Sequence, residues 1–236
     1  MTQPSLSGLR IVVSAGPTYE DIDPVRFLGN RSSGKMGFAI AAEAARRGAQ
    51  TVLVAGPVHL PTPDNVQRID VRSAAQLRDA VIAVLPADVY IGAAAVADYA
   101  PRSIASRKLK KTDDNATLTL ELVRTPDTLA EVAALPATDR TGAGPRRPRL
   151  VVGFAAETDD VERHARGKLE KKNLDLIAAN RVGVQGSGFE SDDNALVVYA
   201  RDFQRALGPA PKTQLAAQLL DLIADRLLAS TATARP

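Results

Sequence analysis

Apolar runs of strand length alternate with segments of helix length over most of the chain, and this alternation constrains the fold more than any other feature. Residues 10–14, RIVVS, read as a buried strand ending in the turn AGPT. Residues 34–48, GKMGFAIAAEAARRG, read as an alanine-rich helix with basic residues in its last turn and Gly48 as its C-cap. Strands follow at 51–56 and 66–71. Ser73 then caps a helix stopped by Pro86, and a strand at 89–99 passes into a loop of small residues. After residue 149 the rhythm resumes, with strands at 149–158, 174–180 and 195–200 and helices at 160–173 and about 212–229. The fold class is α/β: a Rossmann-like parallel sheet with helices on both faces, plus a flap and a small β extension. Ligands of such sheets bind beyond the carboxyl ends of the strands, which is where the loops after residues 14 and 93 fall.

The middle of the chain breaks the pattern. Residues 101–115 are polar and basic, a flap of about 100–117, and ATLTLELV (116–123) alternates with the period of a strand. TPDTLAEVAAL is a short helix with Pro126 at its start, and residues 136–148 have the Gly, Pro and charge content of an exposed loop. No boundary between domains is visible, so residues 1–236 are expected to form one domain.

Composition narrows the function classes. Cysteine is absent from the 236 residues, which excludes disulfides, thiolate zinc sites and a Cys nucleophile and agrees with a cytoplasmic protein. No apolar run approaches the roughly 18–20 residues of a membrane span. The net charge of +3 comes from mixed charges without an RNA-type aromatic signature, so a basic pocket for a phosphorylated small molecule is expected rather than nucleic-acid binding.

GNRSSGKM (29–36) fits all but the last position of the triphosphate-loop pattern G-x-x-x-x-G-K-S/T. Met36 stands where magnesium needs a hydroxyl, and the first strand ends some fifteen residues upstream, so that loop type is rejected. Ser32, Ser33, Gly34 and Gly37 still open a helix, where free N–H groups and the dipole favour an anion; an ordinary cap with packing glycines fits them equally. The preceding GPTYEDIDPVRFLGN is long for a strand-to-helix connection, which favours a functional site. Arg26 and Asn30 in it suit a carboxylate or phosphate. Glu20, Asp21 and Asp23 read either as magnesium ligands or, in preference, as a solvated acidic turn. In GAAAVADY (92–99) three alanines expose backbone to a ligand and Asp98 can accept from it; tight packing with an Asp turn fits as well. KLKK (108–111) reads as a solvated basic run or as a lid on a polyphosphate. His59 and His164 are isolated surface residues.

SAGPTYEDIDPVRFLGNRSSGKMG, AAVADY, KLKK, TPDTL, VGFAAET and AANRVG stand in the order they take in phosphopantothenoylcysteine synthetases, and the chain resembles that family from about residue 8 to 229. The resemblance implies a bacterial, CTP-dependent ligase of coenzyme A biosynthesis. Such an enzyme joins 4′-phosphopantothenate to L-cysteine through an acyl-cytidylate, with magnesium as cofactor, and works as a homodimer with shared sites. In bacteria the domain often follows a flavin-dependent decarboxylase; these 236 residues show no such half, so a stand-alone version or an excised domain is expected. A non-catalytic phospholigand-binding module and an NAD(P)-dependent oxidoreductase are the alternatives; the missing G-x-G-x-x-G counts against the latter.

By position, the resemblance makes Gly16, Ser32, Gly34 and Gly37 nucleotide-loop residues and Phe154 and Asn180 further nucleotide contacts. Ala94, Lys108, Pro126, Asp127, Lys168 and Lys172 match the CTP pocket. Asn30, Ala95 and Asp98 match the phosphopantothenate pocket, and Arg26 matches an arginine that reaches into the neighbour's site. Asn30 and Lys108 are the catalytic candidates. Thr125 and Thr128 depart from the pattern, which usually has Asn and a larger apolar residue there, and KLKK replaces KIKK.

Overall fold

The computed structural model describes residues 4–110, 117–137, 145–181 and 192–233. Residues 111–116 and 138–144 of the expected flap, strand and loop lie outside that set. In chain order the elements are β1 (Arg10–Ala15), β2 (Tyr19–Asp21), β3 (Phe27–Gly29), α1 (Lys35–Arg46), β4 (Gln50–Ala55), β5 (Val66–Asp70), α2 (Ala74–Ala83) and β6 (Val89–Gly92). There follow β7 (Tyr99–Pro101), β8 (Leu122–Arg124), α3 (Thr128–Ala133), β9 (Leu150–Glu157), α4 (Val161–Lys171), β10 (Leu176–Arg181), β11 (Asp193–Tyr199), β12 (Gln204–Pro211) and α5 (Lys212–Thr233).

The main sheet has the order β12-β11-β10-β9-β6-β1-β4-β5. From β5 to β10 neighbours are parallel, and β1, β4, β6, β9 and β10 are covered on both faces, which is why they read as unbroken apolar runs, whereas β5 at the edge is partly exposed. Ile11, Val13 and Ala15 of β1 point to one face and pack with Phe38 and Ile40 of α1 and with Leu215 and Leu219 of α5. Val12 points to the other face and joins Leu77 of α2, Val132 of α3 and Leu169 of α4. Each such fully buried Leu or Ile contributes about 1.5–3 kcal/mol over an exposed one. Buried Arg47 locks α1 to α5, donating to Glu43 at 2.8 Å, Asp221 at 2.6 Å and the Ala217 carbonyl at 2.8 Å.

Several expectations are corrected. The sheet is not wholly parallel: β11 and β12 add antiparallel strands at its edge, and β12 covers residues to which the sequence reading assigned no element. The strand expected over 116–123 shrinks to β8, which pairs with β7 in a separate two-stranded ribbon. The long connection after β1 contains the hairpin β2–β3. Pro126 does not begin α3; Asp127 caps that helix, its side chain accepting from Ala130 N at 3.1 Å. Within the expected exposed loop, Arg147 is largely covered and binds Ala133 O, Asn173 O and Asp175. Ser73 caps α2 as read, in a reciprocal capping box with Gln76.

Candidate active site

β1 lies between β4 and β6, so the chain leaves its carboxyl end toward one side of the sheet and returns on the other. This switch point splays the loops after β1 and β6 apart and opens a crevice. Backbone bonds fix its base: Ala93 N donates to Ser14 O at 3.0 Å, Ala95 N to Gly16 O at 2.8 Å and Thr18 N to Ala95 O at 3.3 Å. The Ala93–Ala97 segment is therefore an extension of the sheet, held with its small side chains beside the crevice. Thr125, where the family pattern departs, anchors its far end: Thr125 Oγ1 donates to Ala97 O at 2.6 Å and Thr125 N to Asp98 O at 3.1 Å.

Two adjoining cavities fill the crevice. The first, about 430 Å³, is lined by Asn30–Gly37, Ala93–Val96, Asp98, Phe154–Ala156, Lys168, Asn180, Asn194 and Lys212. Around it, Arg31, Lys35, Lys168 and Lys212 supply four cations against the carboxylate of Asp98. The second, about 480 Å³, shares Ala94, Val96, Asp98 and Phe154 with the first and extends to Tyr90, Arg124, Pro126, Asp127 and Lys172. Phe154, half-buried on β9, is the common wall.

The N-terminus of α1 opens into the first cavity. Its cap is Gly34, left-handed at φ 74°, and no side chain caps the first turn. A non-glycine residue is strained at that φ, and its Cβ would stand 3.1 Å from Val58 Cγ1. The geometry is an anion nest: first-turn N–H groups and the helix dipole face the cavity. Ser32 Oγ stays beside it, accepting from Gly34 N at 3.3 Å. Gly37 lets α1 approach β1, since a Cβ there would lie 2.4 Å from Ala15 Cβ. Asn30 Nδ2 donates to Val96 O at 2.8 Å, tying the loop before α1 to the alanine segment.

Of the residues singled out from sequence, the first cavity brings together Asn30, Ser32, Gly34, Gly37, Ala94, Ala95, Asp98, Phe154, Lys168 and Asn180. The second collects Pro126, Asp127 and Lys172, with Lys172 Nζ 2.8 Å from Asp127 Oδ2. Lys168 pairs with Glu157 Oε1 at 2.7 Å. Gly16 lies beneath the site, packed against Val58 and Gly56. Arg26 and Lys108 line neither cavity of their own chain.

The acidic turn is a correction. Glu20 and Asp23 are buried, not solvated, and each carboxylate has a structural partner. Glu20 accepts from Ala74 N at the start of α2 at 2.8 Å, and Asp21 pairs with Arg72 at 2.6 Å. Asp23 pairs with Arg26, whose guanidinium, with backbone N–H groups of Val25, Leu109 and Arg26, holds its carboxyl well below the usual carboxylate range. No cluster of three or more His, Cys, Asp or Glu able to hold a metal occurs among the described residues. His164 is not isolated: its Nδ1 is 3.4 Å from Glu157 Oε2.

Sequence reasoning missed Lys212, the first residue of α5, which is buried against the first cavity. Burial, and then the charge of Lys35, push its pKa down from the ordinary lysine value. Lys35, unassigned from sequence, binds Asp192 Oδ1 at 2.6 Å. No local signal marks Lys212, since the approach of α5 to α1 is what brings it there.

This crevice joins a cation-lined anion nest to an aromatic-walled pocket, and proteins of known kind share its framework. The profile of the DNA/pantothenate metabolism flavoprotein C-terminal domain matches residues 6–227. The coenzyme A biosynthesis bifunctional protein CoaBC of Vibrio cholerae is 49% identical over 223 residues, covering 94% of this chain and 54% of its own. This chain thus spans about half the length of the curated relatives it matches. The solved C-terminal domain of a CoaBC protein superposes with a TM-score of 0.77 at 38% identity, over 95% of this chain and 98% of that one. A Cab2 mutant solved with phosphopantothenate-cysteine shares the fold, at TM-score 0.72 and 14% identity, over 95% of this chain and 89% of its own. No helix among the described residues is long and apolar enough to cross a membrane. With its profile match running almost end to end and its switch-point crevice intact, the chain belongs to the DNA/pantothenate metabolism flavoprotein C-terminal domain family.

Proposed function

We propose that this chain is the ligase that joins 4′-phosphopantothenate to L-cysteine in coenzyme A biosynthesis, using CTP. The observation that carries the proposal is the anion nest of α1 opening into a cavity contiguous with the Ala93–Asp98 loop and the Phe154-walled pocket. A triphosphate needs such a nest, and a second reactant needs the adjoining space.

A carboxylate is a poor electrophile, so its oxygen first attacks the α-phosphorus of CTP and pyrophosphate leaves. The cysteine amine then attacks the acyl carbon, CMP leaves, and the amine proton passes to solvent. The α1 N–H groups, Ser32, Lys35 and Lys212 neutralise phosphate charge. Backbone groups of the alanine segment face the cytosine edge. Asn30 lies between the nest and Val96 O, where its amide can donate to the acyl-cytidylate and to the oxyanion formed on cysteine attack. Electrostatic catalysis of this kind needs no nucleophilic side chain. Magnesium fits as an ion carried by the triphosphate, since the described residues offer no three-ligand cage.

A homodimer with shared sites is part of the proposal. Its support is an apolar surface on neighbouring segments: Val25 is 61% exposed, Phe27 44%, Tyr99 47% and Ile104 64%. Large apolar side chains left exposed in this way suit an interface. The relatives are named as bifunctional proteins and are about twice the length matched here; a fused flavin-dependent decarboxylase is the proposed neighbour.

Cysteine-dependent release of CMP and pyrophosphate from CTP plus phosphopantothenate tests the proposal. Binding without turnover refutes the enzyme, and equal use of ATP refutes the nucleotide. Asn30→Asp should allow pyrophosphate release but slow single-turnover cysteine attack; unchanged attack kinetics removes Asn30 from that step.

A further inference from the structure

The buried end of the second cavity carries hydroxyl groups that the phosphate chemistry leaves unused. Thr128, the first residue of α3, lines this cavity and is 3% exposed, and its Oγ1 is buried with no hydrogen-bond partner. A buried hydroxyl left unpaired lowers stability, and native proteins keep few groups in that state without a use for them. Two further hydroxyls line the same cavity. Ser14 Oγ and Tyr90 Oη, both buried, lie 3.1 Å apart. Either oxygen can be the donor in that bond, but the pair holds two protons and the bond uses one, so one O–H remains to be donated. Burial, offset in part by the Ser14 bond, pushes the Tyr90 phenol up to about 12, which keeps it neutral. Gly92 adds no side chain over the pair; a Cβ there would lie 3.6 Å from Tyr90 Oη.

The rest of the lining restricts what those hydroxyls can meet. Phe154 supplies an aromatic wall, and the charges stand toward the mouth, where Arg124 and Asp127 are exposed and Lys172 is paired with Asp127. A phosphate seated at the buried end would find no cation there, and a hydrocarbon would leave the Thr128 hydroxyl unpaired. A planar, neutral heterocycle satisfies both conditions, with its face on Phe154, its polar edge inward and its charged substituent outward.

We infer that the base of the nucleotide occupies the second cavity and that Thr128 is a base-binding residue, its hydroxyl taking its partner from the ring. The inference rests on the nucleotide use proposed above and adds a side chain to the backbone groups of the alanine segment. From the base, the ribose and phosphates run past Ala94 and Val96, which both cavities share, toward the nest of α1. The space beside Asn30 then stays open to the other reactant. Thr128 is also a position where this chain departs from the family pattern, which usually has a larger apolar residue, so the hydroxyl belongs to this chain rather than to the family at large.

Thr128→Val removes the hydroxyl and nearly keeps the shape of the side chain. Calorimetric titration with CMP and with inorganic tripolyphosphate separates the base from the phosphates. Wild-type protein should bind both. The variant should bind CMP about 3- to 10-fold more weakly, the loss of one neutral hydrogen bond, and tripolyphosphate equally well. Thr128→Ser, which keeps the hydroxyl, should stay within about twofold of wild type for CMP, and Thr128→Ala should fall with Thr128→Val. The ligand-free Thr128→Val protein should also melt about 1–3 °C higher, because an unpaired buried hydroxyl has been removed. Wild-type CMP affinity in Thr128→Val and Thr128→Ala, or equal losses in the Ser and Val variants, overturns the inference and leaves the nucleotide use standing. A lower melting temperature overturns it as well, since the hydroxyl is then held by a structural partner such as buried water. A wild-type protein that binds neither CMP nor tripolyphosphate removes the nucleotide use itself, and the inference with it.

Discussion

Replacing Gly37 by Ala tests whether the close approach of α1 to β1 is what aims the anion nest. The new Cβ would stand 2.4 Å from Ala15 Cβ and 3.2 Å from Ala15 Cα. Carbon atoms prefer about 3.5–4.0 Å, so α1 must retreat from β1 by about 1–1.5 Å. Ala15 is wholly buried in the middle of the sheet, so the helix moves rather than the strand. Overpacking of this kind costs about 1–3 kcal/mol. Alanine recovers about 1 kcal/mol of helix propensity, which leaves a net loss of about 0–2 kcal/mol. For a chain of this size that lowers Tm by up to about 8 °C. The ligand loses more, because each charge-assisted hydrogen bond pulled out of line is worth about 1.5–3 kcal/mol, or about 10- to 150-fold in Kd. Titration calorimetry with CTP and thermal melts read both effects. Gly167→Ala is the control: nothing lies within 4 Å of its added Cβ on α4, so the same substitution should raise Tm by about 2–4 °C and leave CTP binding alone. A Gly37→Ala protein that melts like the control and binds CTP with wild-type Kd would refute the reasoning.

Lys212→Met should raise Tm at pH 7 while weakening CTP binding. The folded state disfavours the charged amine, so the unfolded chain holds more protons between the lowered pKa and the ordinary lysine value, and wild-type stability climbs as pH rises through that window. The Tm advantage of the variant should therefore narrow toward pH 10 in scanning calorimetry; a constant advantage contradicts the titration. Glu20→Ala should lower urea stability by about 1–3 kcal/mol, because the buried Ala74 N–H loses its acceptor, with Glu20→Gln losing less. Equal losses would show that the bond is not what matters. Asp127→Ala should cost about 1 kcal/mol through the lost cap of α3 and should also free Lys172 from its partner. An unchanged melt would contradict the capping role.

What could be read from the chain alone was whatever short-range physics decides. β1, β4, β6, β9 and β10 are buried on both faces, so their sequences are apolar without interruption and announce themselves. Ser73 and Gln76 form a capping box within four residues, legible without any tertiary knowledge. The small residues 32–37 disclosed a helix start suited to an anion, and the order of the motif blocks disclosed the family.

Other features exceeded local pattern. β2 and β3 are three residues each with mixed exposure, too short to show a period. β12 contains Gly208, Pro209 and Pro211, which carry no strand signal, and is a strand because it lies at the sheet edge, where a missing N–H is tolerated. Burial of Glu20 and Asp23 and the pairing of Asp21 depended on partners: Ala74 and Arg72 lie about fifty residues away, and Asp23 gains Leu109 from the flap.

The sequence by itself determined the layered α/β framework, the small-residue start of α1 and the family, because periodicity, caps and motif order are properties of neighbouring residues. The tertiary structure alone decided that the acidic turn is a set of clamps, that Lys212 stands beside the first cavity, and that Arg26 and the flap are joined outside their own cavities. Those outcomes depend on which charged groups the folded chain brings within hydrogen-bonding distance and removes from water. The pairing energy of a buried charge is set by such partners, not by its neighbours along the chain.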